Sequence, residues 1–224
     1  EAMEFIASNR DKPFFCYASF FDPHDPYNDY PVSMEEKVDE SKLMNIIPGP
    51  ENWCDMPEGI QREHFNGYLG CAEDLSQEAL HSIRLGYYAS VAFIDKQVGR
   101  ILSTLEELGL RDDTLIIYTS DHGDMLGDHS LLAKGAFFYE PCTKVPLILN
   151  SPDLEKSSFG RSAALVQGHD IAATILSYAG ISESEFRGLM PESIDLHTSI
   201  KNCAASEQRS AVCLYRGTSI DSTK

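Results

Sequence analysis

The chain has 224 residues, enough for one domain with a sizeable core or for a large part of a bigger one. Its 42% hydrophobic and 24% charged residues suit a globular protein, and no run approaches the roughly eighteen apolar residues of a membrane span, so a soluble protein with no membrane partner is expected. A formal net charge of -17 argues against nucleic acid, whose phosphates call for Lys and Arg, but leaves room for a local anion site built from a metal and a few fixed cations.

The start, Glu1-Ala2-Met3-Glu4-Phe5-Ile6, carries acid where a secretion signal carries basic side chains, and residues 1–10 read as the last turns of a helix. Pro13-Phe14-Phe15-Cys16-Tyr17-Ala18-Ser19-Phe20-Phe21 is a nearly continuous apolar run, the pattern of a strand buried on both faces. Two prolines then enforce a loop in Asp22-Pro23-His24-Asp25-Pro26-Tyr27. From about residue 25 to 72 the chain reads as a long irregular excursion, of the kind that usually serves function.

A helix comes next over residues 75–108, with Leu80, Ile83, Tyr87, Val91, Ile94, Val98, Ile101, Leu105 and Leu108 on one stripe. Asp74 with Gln77 resembles a capping box at its start, and Gly109 suits its stop. Thr114-Leu115-Ile116-Ile117-Tyr118-Thr119 reads as a strand ending in Ser120-Asp121-His122-Gly123, and Val145-Pro146-Leu147-Ile148-Leu149 as a strand whose proline places it at a start or an edge. Asp170 is positioned to cap a helix through Tyr178, with Gly180 ending it, and Ser210-Ala211-Val212-Cys213-Leu214-Tyr215 reads as a last strand. Alternation of strands and helices implies an α/β fold, a mainly parallel sheet flanked by helices. No internal repeat and no second domain are visible. The six cysteines, Cys16, Cys54, Cys71, Cys142, Cys203 and Cys213, form no C-x-x-C pair and read as reduced and structural.

In open α/β sheets ligands bind at the carboxyl ends of strands. Asp121 and His122 end one strand and offer an oxygen and a nitrogen to a divalent ion, with Gly123 allowing a sharp turn. The bland alternative is that Asp121 caps the turn and His122 packs. His24, between its prolines, could donate to a bound anion or a leaving group, or be an ordinary turn histidine. Lys134, before Gly135 and the run Ala136-Phe137-Phe138-Tyr139, could bury its stem on aromatics and present its ammonium to an anion, or simply lie on the surface.

Taken in order, these pieces resemble the sulfatase family of the alkaline-phosphatase-like superfamily. Pro13-Phe14-Phe15 with the Pro23-His24-Asp25-Pro26 loop is similar to one of its strands and the loop after it. Tyr87-Tyr88-Ala89-Ser90-Val91 with Ile94-Asp95-Lys96-Gln97-Val98-Gly99 is similar to the helix before its second metal motif. Ser120-Asp121-His122-Gly123-Asp124-Met125-Leu126-Gly127-Asp128-His129 resembles that motif, and Lys134-Gly135, Phe138-Tyr139-Glu140 and Val145-Pro146-Leu147-Ile148 resemble the family's segment C-terminal to it. The likeness covers roughly residues 12 to 182.

The resemblance implies that Asp121 and His122 are two ligands of one divalent metal, calcium first with manganese or magnesium as alternatives. It implies that His24 and Lys134 contact sulfate or phosphate oxygens, and that either could assist the leaving oxygen. Asp124 and His129 are expected to be structural, and Asp95 a packing or capping residue. The family's nucleophile, a formylglycine made from Cys or Ser in a C/S-x-P-x-R motif, has no counterpart, since none of the six cysteines begins that motif. All 224 residues are therefore expected to be part of a catalytic domain that starts upstream of Glu1, inactive alone and unable to hold metal tightly. The function expected is hydrolysis of a small sulfate ester. The alternatives are a phosphonate monoester or phosphodiester hydrolase of the same superfamily, and a non-catalytic sulfatase-like interaction protein. If the half-site is real, His24, Asp121, His122 and Lys134 must converge, with the strands ending at Phe21 and Thr119 parallel in one sheet.

Overall fold

The apolar stripe beginning at Leu80 does form one helix. The computed structural model describes residues 1–43, 45–67, 71–135, 137–152 and 160–196; Ala136, the strand expected at 210–215, Cys203 and Cys213 lie outside them. Among the described residues the α-helices before residue 111 are α1 (Ala2–Ser8), α2 (Glu58–Asn66) and α3 (Gln77–Glu107). α3 is capped by Ser76, whose hydroxyl accepts the Ala79 amide, and not by Asp74, which lies in the preceding 3-10 turn. Gly109 lies just past its end in the left-handed conformation (φ 69°), as the sequence predicted. No helix among the described residues is long and apolar enough to cross a membrane.

The chain divides into two compact units, Glu1–Arg111 with His122–Val145, and Asp112–Asp121 with Pro146–Lys224. In the first, α1 and the 3-10 turn Val32–Lys37 pack on α3, burying Ile6, Met34, Leu80, Ala89, Ile94 and Leu105. Each large apolar side chain so buried contributes about 1.5–3 kcal/mol. A second core of Met125, Leu131, Phe137 and Cys142 is covered by Trp53, Ile60 and Tyr139. Trp53 and Ile60 come from the stretch expected to be irregular. That stretch contains the 3-10 turns Glu40–Lys42 and Trp53–Asp55 and helix α2, and Trp53 stacks on buried His64 at 3.5 Å. Aromatic burial, invisible to a periodicity argument in so polar a sequence, is what orders it.

In the second unit, β1 (Ile116–Thr119) pairs antiparallel with β2 (Leu147–Asn150) in a register running from Ile116 opposite Asn150 to Thr119 opposite Leu147. Pro146 precedes β2, where a missing amide costs no ladder bond. After α4 (Glu140–Thr143), which belongs to the first unit, the remaining helices are α5 (Gly168–Tyr178) and α6 (Glu183–Phe186). Asp170 is the third residue of α5 rather than its cap. It accepts the Gln167 amide at 2.7 Å to close a capping box and the Ile194 amide at 3.0 Å, fully buried.

Two expectations about strands are not met among the described residues. Residues 13–21 form no helix or strand, and Phe15, Tyr17 and Phe21 are 66%, 81% and 74% exposed rather than buried. Burial on both faces needs neighbouring strands as well as helices, and among the described residues α1 and α3 lie beside this segment but no strand pairs with it. The sheet seen among the described residues is the antiparallel pair β1–β2.

Candidate functional site

His24 and Lys134, 110 residues apart in sequence, meet in the first unit. The His24 loop is a tight turn, with the His24 amide donating to the Phe21 carbonyl at 3.2 Å and the imidazole tilted over the Phe21 ring at 4.5 Å. Nδ1 of His24 lies 2.8 Å from the Asp25 carbonyl oxygen and 3.1 Å from Asp25 Oδ1, so it carries the hydrogen. Nε2 is thereby turned as an acceptor toward Lys134 Nζ, 2.5 Å away. The same ammonium donates to Asp25 Oδ1 at 3.2 Å. Asp25 thus orients the imidazole and pairs with the lysine at once. Its side chain and that of Lys134 are 15% and 26% exposed, which shields the pair from water without sealing it.

The backbone on both sides is pinned. Tyr27 donates its hydroxyl to Asp124 Oδ2 at 2.9 Å, tying the His24 loop to the loop that carries Lys134. Gly86 of α3 lies so close under Tyr27 that a Cβ there would overlap the Tyr27 carbonyl. In the Lys134 loop Leu126, His129, Ser130 and Ala133 all have positive φ, between 46° and 58°. Each such residue costs roughly 1–2 kcal/mol, so the surrounding contacts must impose the shape. They include Arg84 donating to the Leu126 carbonyl at 3.2 Å, the Met125 amide bonding to the Ala133 carbonyl at 2.8 Å, and His129 stacked on Tyr139 at 4.0 Å. Burial pushes the Asp124 carboxyl above its ordinary value, against the pull of the Leu126 amide, the Tyr27 hydroxyl and the Lys134 charge.

Asp121 and His122 come directly after β1, as expected, and both are exposed. The Ser120 hydroxyl lies 3.4 Å from Asp121 Oδ1, and His122 Nδ1 lies 2.8 Å from the Gly123 carbonyl. A ring nitrogen that donates to a carbonyl leaves the other as the coordinating nitrogen, the usual arrangement of a ligating histidine. A carboxylate oxygen and an imidazole nitrogen are donor types that a divalent ion accepts. Among the described residues no set of three or more His, Cys, Asp or Glu is gathered to hold an ion. Gly123 is needed for close approach and not for a special turn. Its amide donates to the Cys142 carbonyl at 2.8 Å, and a Cβ would collide with the Pro141 carbonyl of α4.

Phe137 faces the core and Phe138 is half exposed, while the lysine turns to Asp25 and His24. Sequence reasoning assigned Asp25 and Tyr27 no role, although both flank His24 in the same loop. Their adjacency to a candidate histidine was the available signal.

The description Sulfatase belongs to the family profile that matches residues 1–181. The chain belongs to the sulfatase family. It is 33% identical over 187 residues to an arylsulfatase of Clostridium perfringens, covering 81% of this chain and 37% of the relative. To human iduronate 2-sulfatase it is 34% identical over 167 residues, 68% of this chain and 28% of the relative. The crystal structure of a phosphonate monoester hydrolase of Agrobacterium radiobacter superposes with a TM-score of 0.63 at 32% identity, covering 80% of this chain and 38% of that one. This sulfatase-family chain thus spans well under half the length of the relatives it matches, and it shares their fold over most of its own.

Proposed function

We propose that the chain supplies the anion-binding residues, and two metal ligands, of a hydrolase that cleaves small sulfate esters with a formylglycine nucleophile from outside these 224 residues. The observation that carries the proposal is the meeting of Lys134 and His24 over Asp25, two motifs far apart in sequence that bring an ammonium and an oriented imidazole together. On this reading Lys134 Nζ donates to the non-bridging ester oxygens. His24, its Nδ1 hydrogen held by Asp25, takes a second proton on Nε2 and donates it to a non-bridging ester oxygen or to the leaving oxygen. Asp25 keeps the ammonium and the ring in place as the anion displaces their mutual contact. A divalent ion on Asp121 and His122, calcium with manganese or magnesium as alternatives, supplies charge neutralisation when bound. All 224 residues belong on this reading to one catalytic domain, completed by a mainly parallel sheet that includes residues 13–21.

A second reading, a phosphonate monoester hydrolase, is favoured by the Agrobacterium structure, which is named for that activity. Kinetics of the full-length protein on an aryl sulfate and an aryl phosphonate monoester decide between them by which kcat/KM is larger. On the better ester, Lys134→Ala and His24→Ala should each lower kcat/KM by about 100-fold or more, the scale of losing one preorganised donor. The 224 residues alone should turn over neither ester, since removing a nucleophile costs on the order of a million-fold. Hydrolysis of neither ester by the full-length protein, or variants as active as wild type, would overturn both readings.

A further inference from the structure

Helix α2 brings Glu63 against the backbone that carries Lys134. A Cβ on Gly135 would overlap Glu63 Oε2 and Cδ, so the carboxylate fills the space that any other residue at 135 would take. Gly135 is the residue directly after Lys134, one Cα step of about 3.8 Å away. The helix is anchored at its next residue, because His64 is 3% exposed beneath Trp53, and Trp53 packs on the core of Met125, Leu131, Phe137 and Cys142. Glu63 is therefore held in place and does not wave in solvent. Its side chain is half-buried, yet among the described residues it has no hydrogen-bond donor and no cation. The contrast lies on the same helix, where Arg62 pairs with Glu58 at 3.1 Å.

An ionised carboxylate is acceptor-only, and one that is half-buried without a protein donor can accept from a ligand in place of water. We infer that Glu63 determines specificity for the alcohol part of the ester, accepting a hydrogen bond from a hydroxyl of a polyhydroxylated, sugar-like alcohol whose sulfate rests on Lys134 and His24. The inference rests on the ester-hydrolase reading above. Two electrostatic arguments select a neutral hydroxyl. An ammonium on the substrate would meet the like charge of Lys134, and the carboxylate repels the ester's own anion, so the sulfate turns to the lysine and the carbon skeleton toward α2. A site that hydrogen-bonds a substrate hydroxyl rejects analogues lacking it far better than an apolar site can.

The test compares kcat/KM of the full-length protein for a hexose 6-sulfate and for phenyl sulfate, which has no hydroxyl to offer. In Glu63→Ala the ratio of hexose to phenyl ester should fall about 10- to 100-fold, the range for losing a hydrogen bond to a charged group. Glu63→Gln, which keeps an acceptor oxygen, should lose less. Gly135→Ala should shift the ratio in the same direction, because its Cβ displaces a carboxylate that the substitution leaves chemically intact. Melting curves identify any variant that fails to fold, and the three substitutions are independent routes to the same answer. A ratio unchanged within about twofold in the folded variants, or wild-type turnover of phenyl sulfate but not of the hexose ester, refutes the role of Glu63 and spares the hydrolase reading. Hydrolysis of neither ester refutes both.

Discussion

At the scale of single residues, the site works by one group acting on several neighbours. Asp25 holds His24 and Lys134, and Asp124 receives Tyr27 and the Leu126 amide. Cys142 lies under the same loop, and its thiol is pushed up to about 12, first by burial and then by the charge of Asp124, against the opposing pull of Lys134. The folded thiol thus keeps its proton where the unfolded one, near 9, loses it. Between those values the unfolded state binds fewer protons, so stability must fall as pH rises, at up to about 1.4 kcal/mol per pH unit. Urea unfolding of wild type and Cys142→Ala at pH 8, 9 and 10 measures this. The stability difference between them should shift steadily against wild type above about pH 9; a difference independent of pH would show that the thiol ionises as readily folded as unfolded.

At the scale of elements, what could be read from sequence was what depends on local pattern. The period of α3, the stop at Gly109, the proline before β2 and the acid–imidazole pair after β1 are all set by residues close in the chain. Residues 13–21 misled, because an apolar run specifies that a strand wants cover and says nothing of whether cover arrives. The ordered excursion and Glu63 could not be found either, since both depend on contacts between residues about seventy positions apart, Trp53 with the core at 125–142 and Glu63 with Gly135. Position-dependent packing also separates two glycines within α3. A Cβ at Gly86 would run into the Tyr27 carbonyl, whereas nothing lies within 4 Å of one at Gly99. Alanine is the better helix former by about 1 kcal/mol, so Gly99→Ala should stabilise by up to that amount. Gly86→Ala gains the same propensity but must push backbone aside, an overpacking cost of about 1–3 kcal/mol, and should be neutral to destabilising by about 2 kcal/mol. Chemical denaturation of both variants settles it, and Gly86→Ala as stable as Gly99→Ala would mean that the His24 loop does not rest on α3.

At the scale of the whole molecule, two features oppose each other. The formal charge of -17 keeps copies apart, while residues 13–21 present Phe15, Tyr17 and Phe21 on a backbone that is in no helix and has no ladder partner among the described residues. An open groove of about 540 Å³ between this segment, α1 and α3 adds apolar surface from Phe5 and Ile101. Exposed aromatics on backbone free of ladder bonds invite association, and charge is the usual guard against it. The guard depends on salt, because the Debye length shrinks from about 30 Å at 0.01 M to about 3 Å at 1 M. Sedimentation of the 224-residue chain should therefore show monomer at low salt and concentration-dependent larger species as salt rises. Replacing Phe15 and Tyr17 by Asp, both exposed and touching no core, should restore the monomer at high salt without lowering the melting temperature by more than a few degrees. A wild-type chain that stays monomeric at high salt would mean that this aromatic surface does not drive association, and larger species persisting in the double variant would mean that another surface does.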